Sequence, residues 1–228
     1  MGQLNVPTIG DALFKKFRKN KKALALNFDL TISLFADTII DYQRKGAKMN
    51  LDEYQRLAMR TAPLGTYTER EIFENACLGL IGETGEVSDL IKKSRFQGHR
   101  LGVVHLMREL GDVLWYVALG VYAIKGDYGL EDAVDEAADF MNIPLEMSAT
   151  EVIFLMTDTI ATLANHCYVN EDAIPLFGRM IQYIEALAIR YGSTLEAVMK
   201  ANVAKLEERY PGAKFDSERS IHRKAGDI

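Results

Sequence analysis

The 228-residue sequence predicts an all-α fold, an antiparallel helical bundle, and three observations carry that expectation. Apolar residues recur at helical spacing over most of the chain. No stretch of useful length alternates with the period of two that a strand requires. Proline, glycine and capping residues divide the helical runs at intervals suited to a bundle.

Residues 1–22 begin polar and end basic, with Lys15, Lys16, Arg18, Lys19, Lys21 and Lys22. They read as a solvated helix face, with an electrostatic handle for nucleotide or nucleic acid as the alternative. A helical pattern over 27–44 stops at Gly46, so residues 1–48 form an N-terminal helical extension, a packing or assembly helix outside the main domain. Asn50 then caps a first core helix over 51–61, with Glu53 placed to complete the cap, and Pro63-Leu64-Gly65 breaks it. Thr68 caps a long helix to about residue 93, ended by Lys92 and Lys93, where cations suit the helix dipole. A turn at Gln97-Gly98-His99 leads into a helix over 103–125. Pro144 marks a boundary, and Ser148 or Thr150 caps a helix over 151–168. Pro175 opens another that runs to Tyr191-Gly192. Ser193 or Thr194 caps the last, over 195–210, which Pro211-Gly212 terminates.

Composition narrows the function. Apolar content of 48% and charged content of 26% are ordinary for a globular protein with a sizeable core. A net charge of −5 and a pI near 5.5 argue against a nucleic-acid surface. Cys77 and Cys167 sit in apolar helical contexts and read as buried free thiols, at home in a reducing compartment. The longest apolar run, 113–124, is too short to span a bilayer. The first thirty residues lack a signal-peptide layout. A cytoplasmic protein without membrane contact is expected.

The chemistry concentrates in residues 74–124. Glu83 and Glu86 form one acidic pair in an apolar helical run, Glu109 and Asp112 another. Residues three apart share a helix face, roughly 5–6 Å apart at Cβ. The spacing between the pairs lets one helix finish, turn and return antiparallel, so four carboxylates would converge. Like charges in a half-buried cleft repel and are poorly solvated. A hard divalent cation with oxygen ligands, Mg²⁺ or Mn²⁺, is their natural partner. Gly79, Gly82, Gly85 and Gly111 each cost a helix about 1 kcal/mol, which suggests close approach by another helix or a ligand.

These residues resemble the all-α nucleoside triphosphate pyrophosphohydrolases of the MazG type. The resemblance lies in E-x-x-E followed by E-x-x-D, in Gly82-Glu83-x-Gly85-Glu86-Val87, Leu90-Ile91-Lys92-Lys93 and Gly98-His99, and in the run from Glu109 to Tyr116. It covers 49–228 with one large interruption, and it implies hydrolysis of a nucleoside triphosphate to the monophosphate and pyrophosphate. It implies Glu83, Glu86, Glu109 and Asp112 as metal ligands, with Glu83 or Glu86 taking the proton of the attacking water. Lys93 and His99 would lie near the phosphates. The family's N-x-x-K-x-x-x-R-[FY]-P helix is met at Asn202, Lys205, Arg209, Tyr210 and Pro211, which would bind phosphate and sugar. By family analogy, a deoxynucleotide or non-standard nucleotide suits a pool-cleaning role. Trp115 and Tyr116 read either as core or as part of a base pocket, and Asp89 as supporting the site or facing solvent. The tail 213–228 resembles family tails and would fray or fold over the site.

The interruption coincides with an internal similarity. Leu110-Gly111-Asp112 aligns with Phe177-Gly178-Arg179, Tyr116 with Tyr183, and Ala123-Ile124 with Ala188-Ile189. Gly82-Glu83 aligns with Thr157-Asp158, Glu86 with Ala161. Where Asn202 and Lys205 stand, the first half has Ala137 and Phe140. An active half (49–140) and a degenerate half (148–212) would then form a pseudo-dimer with one composite site, where simpler relatives supply the same helices as homo-oligomers. The rivals are chance similarity of amphipathic helices for the repeat, a di-iron bundle, which lacks its Glu-x-x-His pairs, and a catalytically weak nucleotide-binding regulatory protein.

Overall fold

The computed structural model describes residues 48–124, 128–138, 143, 146–165 and 169–210. The expected helix over 27–44, the aligned Phe140, the boundary at Pro144, Cys167, the stop at Pro211-Gly212 and the tail 213–228 lie outside them. Within them the chain is helical and no strand occurs.

Helix α1 (Leu51–Ala58) starts where the Asn50 side chain accepts a bond from Glu53 N at 2.8 Å. It tightens into a 3₁₀ turn, Met59–Thr61. Ala62, ahead of Pro63, is extended because proline disfavours helix in the preceding residue. A reciprocal Thr68–Glu71 capping box starts α2 (Glu69–Phe96), which runs three residues past the expected end. Gly98 then takes φ +72°, a conformation that costs glycine little, and His99 N returns to Lys93 O at 3.2 Å. The chain reverses into α3 (Val103–Ala123).

Asp132 accepts from Gly129 N at the start of α4 (Leu130–Glu136). Of the two candidate caps for α5 (Ala149–Asn165), Ser148 is the one used, exchanging bonds with Glu151. A 3₁₀ turn, Glu171–Ala173, leads into α6 (Ile174–Arg190), where Pro175 takes a first-turn position that needs no N–H partner. Gly192 at φ +76° reverses the chain, and Thr194 rather than Ser193 caps α7 (Leu195–Arg209).

Helices α2 and α3 form one antiparallel hairpin, α5 and α6 a second, and the two pack face to face. Arg95 near the end of α2 bonds Thr150 near the start of α5 at 2.6 Å, so those helices run antiparallel. Helix α3 is the centre, in contact with α1, α2, α4, α6 and α7. Its sequence is apolar nearly all round, as a helix enclosed by others requires.

Each hairpin is also covered by the other's terminal helix: α7 packs on α3, and α4 packs on α6. The contacts match in detail. A Cβ on Gly111 would meet Asn202 Cβ at 2.8 Å, and one on Gly178 would meet Ala137 Cβ at 2.7 Å. Those are the residues that the internal alignment pairs. Thr84 and Thr159, equivalent at the Gly82–Thr157 offset, are both buried.

The glycines divide into two kinds. At Gly79 a Cβ would fall 2.1 Å from the Tyr116 ring, and at Gly178 it would fall 1.8 Å from the Ala133 carbonyl oxygen. Gly82 and Gly85, expected to mark a close approach by another helix or a ligand, have nothing within 4 Å among the described residues. Gly178→Ala is therefore expected to destabilise the fold by about 2 kcal/mol or more, because the obstacle is backbone. Gly82→Ala is expected to stabilise it by about 1 kcal/mol. Thermal melting followed by circular dichroism checks both signs.

Candidate active site

The antiparallel α2–α3 hairpin sets Glu83 opposite Glu109 and Asp112. One carboxylate oxygen from each lies within 4.8 Å of the others. Glu83 and Asp112 are half-buried, whereas Glu109 is only 5% exposed. Glu86, one turn beyond Glu83, is exposed and stands outside this group of three. Its charge still reaches Glu109 and Lys93.

Burial is the main force on Glu109 and raises its pKa to about 7, and Asp112 pushes the same way. Lys205 and Arg108 oppose the rise, and Glu86 adds to it. His105, one turn earlier on α3, places Nε2 2.8 Å from Glu109 Oε1. Asp112 is held from α7 on both oxygens. Asn202 Nδ2 donates to Oδ1 at 3.1 Å and Lys205 Nζ to Oδ2 at 2.6 Å. Behind Asn202, the buried Tyr54 of α1 donates to Asn202 Oδ1 at 2.8 Å.

Asn202, the most deeply buried polar residue of α7, and Lys205 therefore lie against a carboxylate, and Arg209 follows one turn on, half-buried. Lys93 is exposed and paired with Asp89, which also holds Lys92. These two lysines bring the half-buried Asp89 down to about 2 and make it an ion-pair hub. His99 is exposed in the α2–α3 turn. Trp115 and Tyr116 take core positions: Tyr116 covers Gly79, and Trp115 Nε1 donates to Thr61 Oγ1 at 3.2 Å.

His105 and Tyr54 were absent from the sequence-derived set. The His-x-x-x-Glu spacing at 105–109 puts the first pair on one helix face and was readable. Tyr54 carries no comparable signal, because its partner is 148 residues away.

Three clustered carboxylates, one with a raised pKa, form an oxygen donor set that suits a hard divalent cation. Glu83, Glu109 and Asp112 would hold it, and their charge would be compensated. Without a cation, Glu109 keeps its proton to higher pH in the folded state than in the unfolded one. A raised carboxyl pKa contributes stability that is complete below about pH 4.5 and is lost as pH rises through about 7. In EDTA, Glu109→Gln is expected to melt higher than the parent at pH 8, by up to roughly 3 kcal/mol of stability. The difference should vanish near pH 4.5, and melting curves across that range check the sign.

Among the described residues no helix is long and apolar enough to cross a membrane. No curated protein and no solved structure matches the chain. Residues 72–142 match the family model of the MazG nucleotide pyrophosphohydrolase domain. That stretch spans nearly all of α2, the whole of α3 and α4, and all four predicted carboxylates. Over these residues the chain is similar to the MazG nucleotide pyrophosphohydrolase domain, and its helices there suit that all-α class.

Proposed function

We propose that this protein hydrolyses a nucleoside triphosphate between its α- and β-phosphates, releasing a monophosphate and pyrophosphate with Mg²⁺ or Mn²⁺ as cofactor. The observation that carries the reading is the convergence of Glu83, Glu109 and Asp112 within 4.8 Å, opposite Lys205. Glu86 is the fourth carboxylate, one turn away on the exposed face of α2. The bound cation would screen phosphate charge and make a water molecule more acidic.

The protein's own groups supply the rest. Attack of the water oxygen on the α-phosphorus breaks the bond to the bridging oxygen, and pyrophosphate leaves with that oxygen. The water proton passes to a carboxylate, Glu83 or Glu86. Glu86, outside the close group of three, keeps the more open oxygen atoms. Lys205 keeps two N–H groups beyond the one directed at Asp112, and Arg209 extends the same α7 face; both serve phosphate oxygens. Lys93 and His99 flank the exposed end of the hairpin, where the outer phosphates would pass. Gly82 and Gly85 leave the helix face next to Glu86 bare, giving a bulky anion room to approach. A deoxynucleotide or non-standard nucleotide is the substrate class this reading favours.

We also propose that α5–α7 arose as a degenerate copy of α2–α4, so that one composite site combines carboxylates from the first half with Asn202, Lys205 and Arg209 from the second. The matched packing of Gly111 on Asn202 and Gly178 on Ala137 supports this.

Pyrophosphate release across a panel of NTPs and dNTPs, with Mg²⁺, Mn²⁺ or EDTA, tests the activity. Release is expected with either metal and not with EDTA; a folded protein that releases none would overturn the reading in favour of a nucleotide-binding regulator. Glu86→Gln and Asp112→Asn are each expected to lower kcat by ~100-fold or more while the helical fold persists. Lys205→Ala is expected to raise KM or lower kcat by ~10-fold, and unchanged kinetics would refute the composite site.

A further inference from the structure

Tyr54 belongs to α1, outside both hairpins, and is fully buried, so it cannot touch a substrate. Its hydroxyl nonetheless has a specific address. It donates to Asn202 Oδ1 at 2.8 Å and stands 3.4 Å from the Gly111 carbonyl oxygen. The Asn202 amide in turn donates through Nδ2 to Asp112 Oδ1 at 3.1 Å.

An asparagine amide has two orientations that fit the same space and exchange its donor for its acceptor. In the observed one, the phenol hydrogen meets Oδ1 and the amide hydrogen meets a carboxylate. In the other, Oδ1 would face the Asp112 oxygen at hydrogen-bond distance with no hydrogen between them, which is repulsive. Tyr54 favours the first, because there its O–H meets Oδ1 at 2.8 Å, whereas in the other only the more distant Gly111 carbonyl oxygen, at 3.4 Å, would accept it. Burial, with the Asp112 charge second, raises the phenol pKa well above its usual value, so the hydroxyl keeps its hydrogen.

Glycine at 111 completes the arrangement. A Cβ there would fall 2.8 Å from Asn202 Cβ, so a side chain would push α7 away from α3 and lengthen the bond to Asp112. With both in place, Asn202 takes one Asp112 oxygen and Lys205 the other. Rotating the carboxylate or shifting it away from Glu83 and Glu109 would break one or both of these bonds.

We infer that Tyr54 is a positioning residue that acts through the Asn202 amide to fix the Asp112 carboxylate for its role in the cation site. The inference rests on the proposed function of Glu83, Glu109 and Asp112, and it assigns α1 a part in that site. A group held in its working geometry before the ligand arrives binds more tightly, because less freedom is lost on binding.

The test is a double-mutant cycle on Mn²⁺ affinity, measured by titration calorimetry without nucleotide, with pyrophosphate release followed in parallel. Tyr54→Phe keeps the ring and removes only the hydroxyl. It is expected to weaken Mn²⁺ binding ~5–10-fold and to lower kcat by a similar factor, with little change in KM. Asn202→Ala is expected to weaken Mn²⁺ binding at least as much. In the Asn202→Ala background, Tyr54→Phe should then have no further effect, because the relay is already cut.

Multiplicative losses in the double variant would overturn the relay, as would full Mn²⁺ affinity in Tyr54→Phe. Circular dichroism monitors folding throughout, and if Asn202→Ala does not fold, Asn202→Leu fills the same space without hydrogen-bonding atoms. Should the parent bind Mn²⁺ but release no pyrophosphate, the hydrolytic reading fails while the cycle still decides the relay. Absence of Mn²⁺ binding by the folded parent overturns both.

Discussion

The arrangement turns on two carboxylates mounted on a helix that the rest of the bundle encloses. Glu109 and Asp112 lie on α3, and α3 is pressed on by α1, α2, α4, α6 and α7. Neither acid can move far from the other or from Glu83, so lost hydration and charge repulsion fall on the buried Glu109. The raised pKa of Glu109 is the direct sign of that conflict. Such a site is costly for the metal-free fold, and that cost is what would make it receptive to the proposed divalent cation.

The second hairpin supplies the relief. Lys205 and Asn202 reach Asp112 from α7, a helix that follows it by some ninety residues. Helix α7 can come that close only because Gly111 offers no Cβ. The same device recurs where α4 meets α6 at Gly178, with alanine in place of asparagine and no carboxylate opposite. One packing solution thus occurs twice, and only one occurrence carries polar chemistry. In the proposed composite site, α5–α7 would serve less as a second site than as a wall of the first and the source of Lys205.

Glycine therefore has two meanings within a few residues of α2. Gly79 exists for the Tyr116 ring, which would otherwise overlap a Cβ. Gly82 and Gly85 face open space beside Glu86, so packing among the described residues does not account for them. A helix that gives up stability at two exposed positions next to its acidic pair has kept a bare backbone surface where the proposed substrate would lie.

Read alone, the sequence determined the helical class, the order of the helices and most of their ends, because caps, glycine stops and apolar spacing act within one or two turns. It placed Glu83, Glu109 and Asp112 together, since a hairpin of known reach joins two i, i+3 pairs. It also found Asn202 and Lys205, through a motif. It did not separate Glu86 from the close group of three, or Gly82 and Gly85 from Gly79. Both distinctions depend on which way a helix is turned against its neighbours. Only the tertiary structure decided that Asn202 and Lys205 grip Asp112, and that Tyr54 stands behind Asn202. Those contacts join residues on different helices, up to 148 positions apart. Local periodicity carries no information about such pairs; the packing of α1 and α7 on α3 creates them.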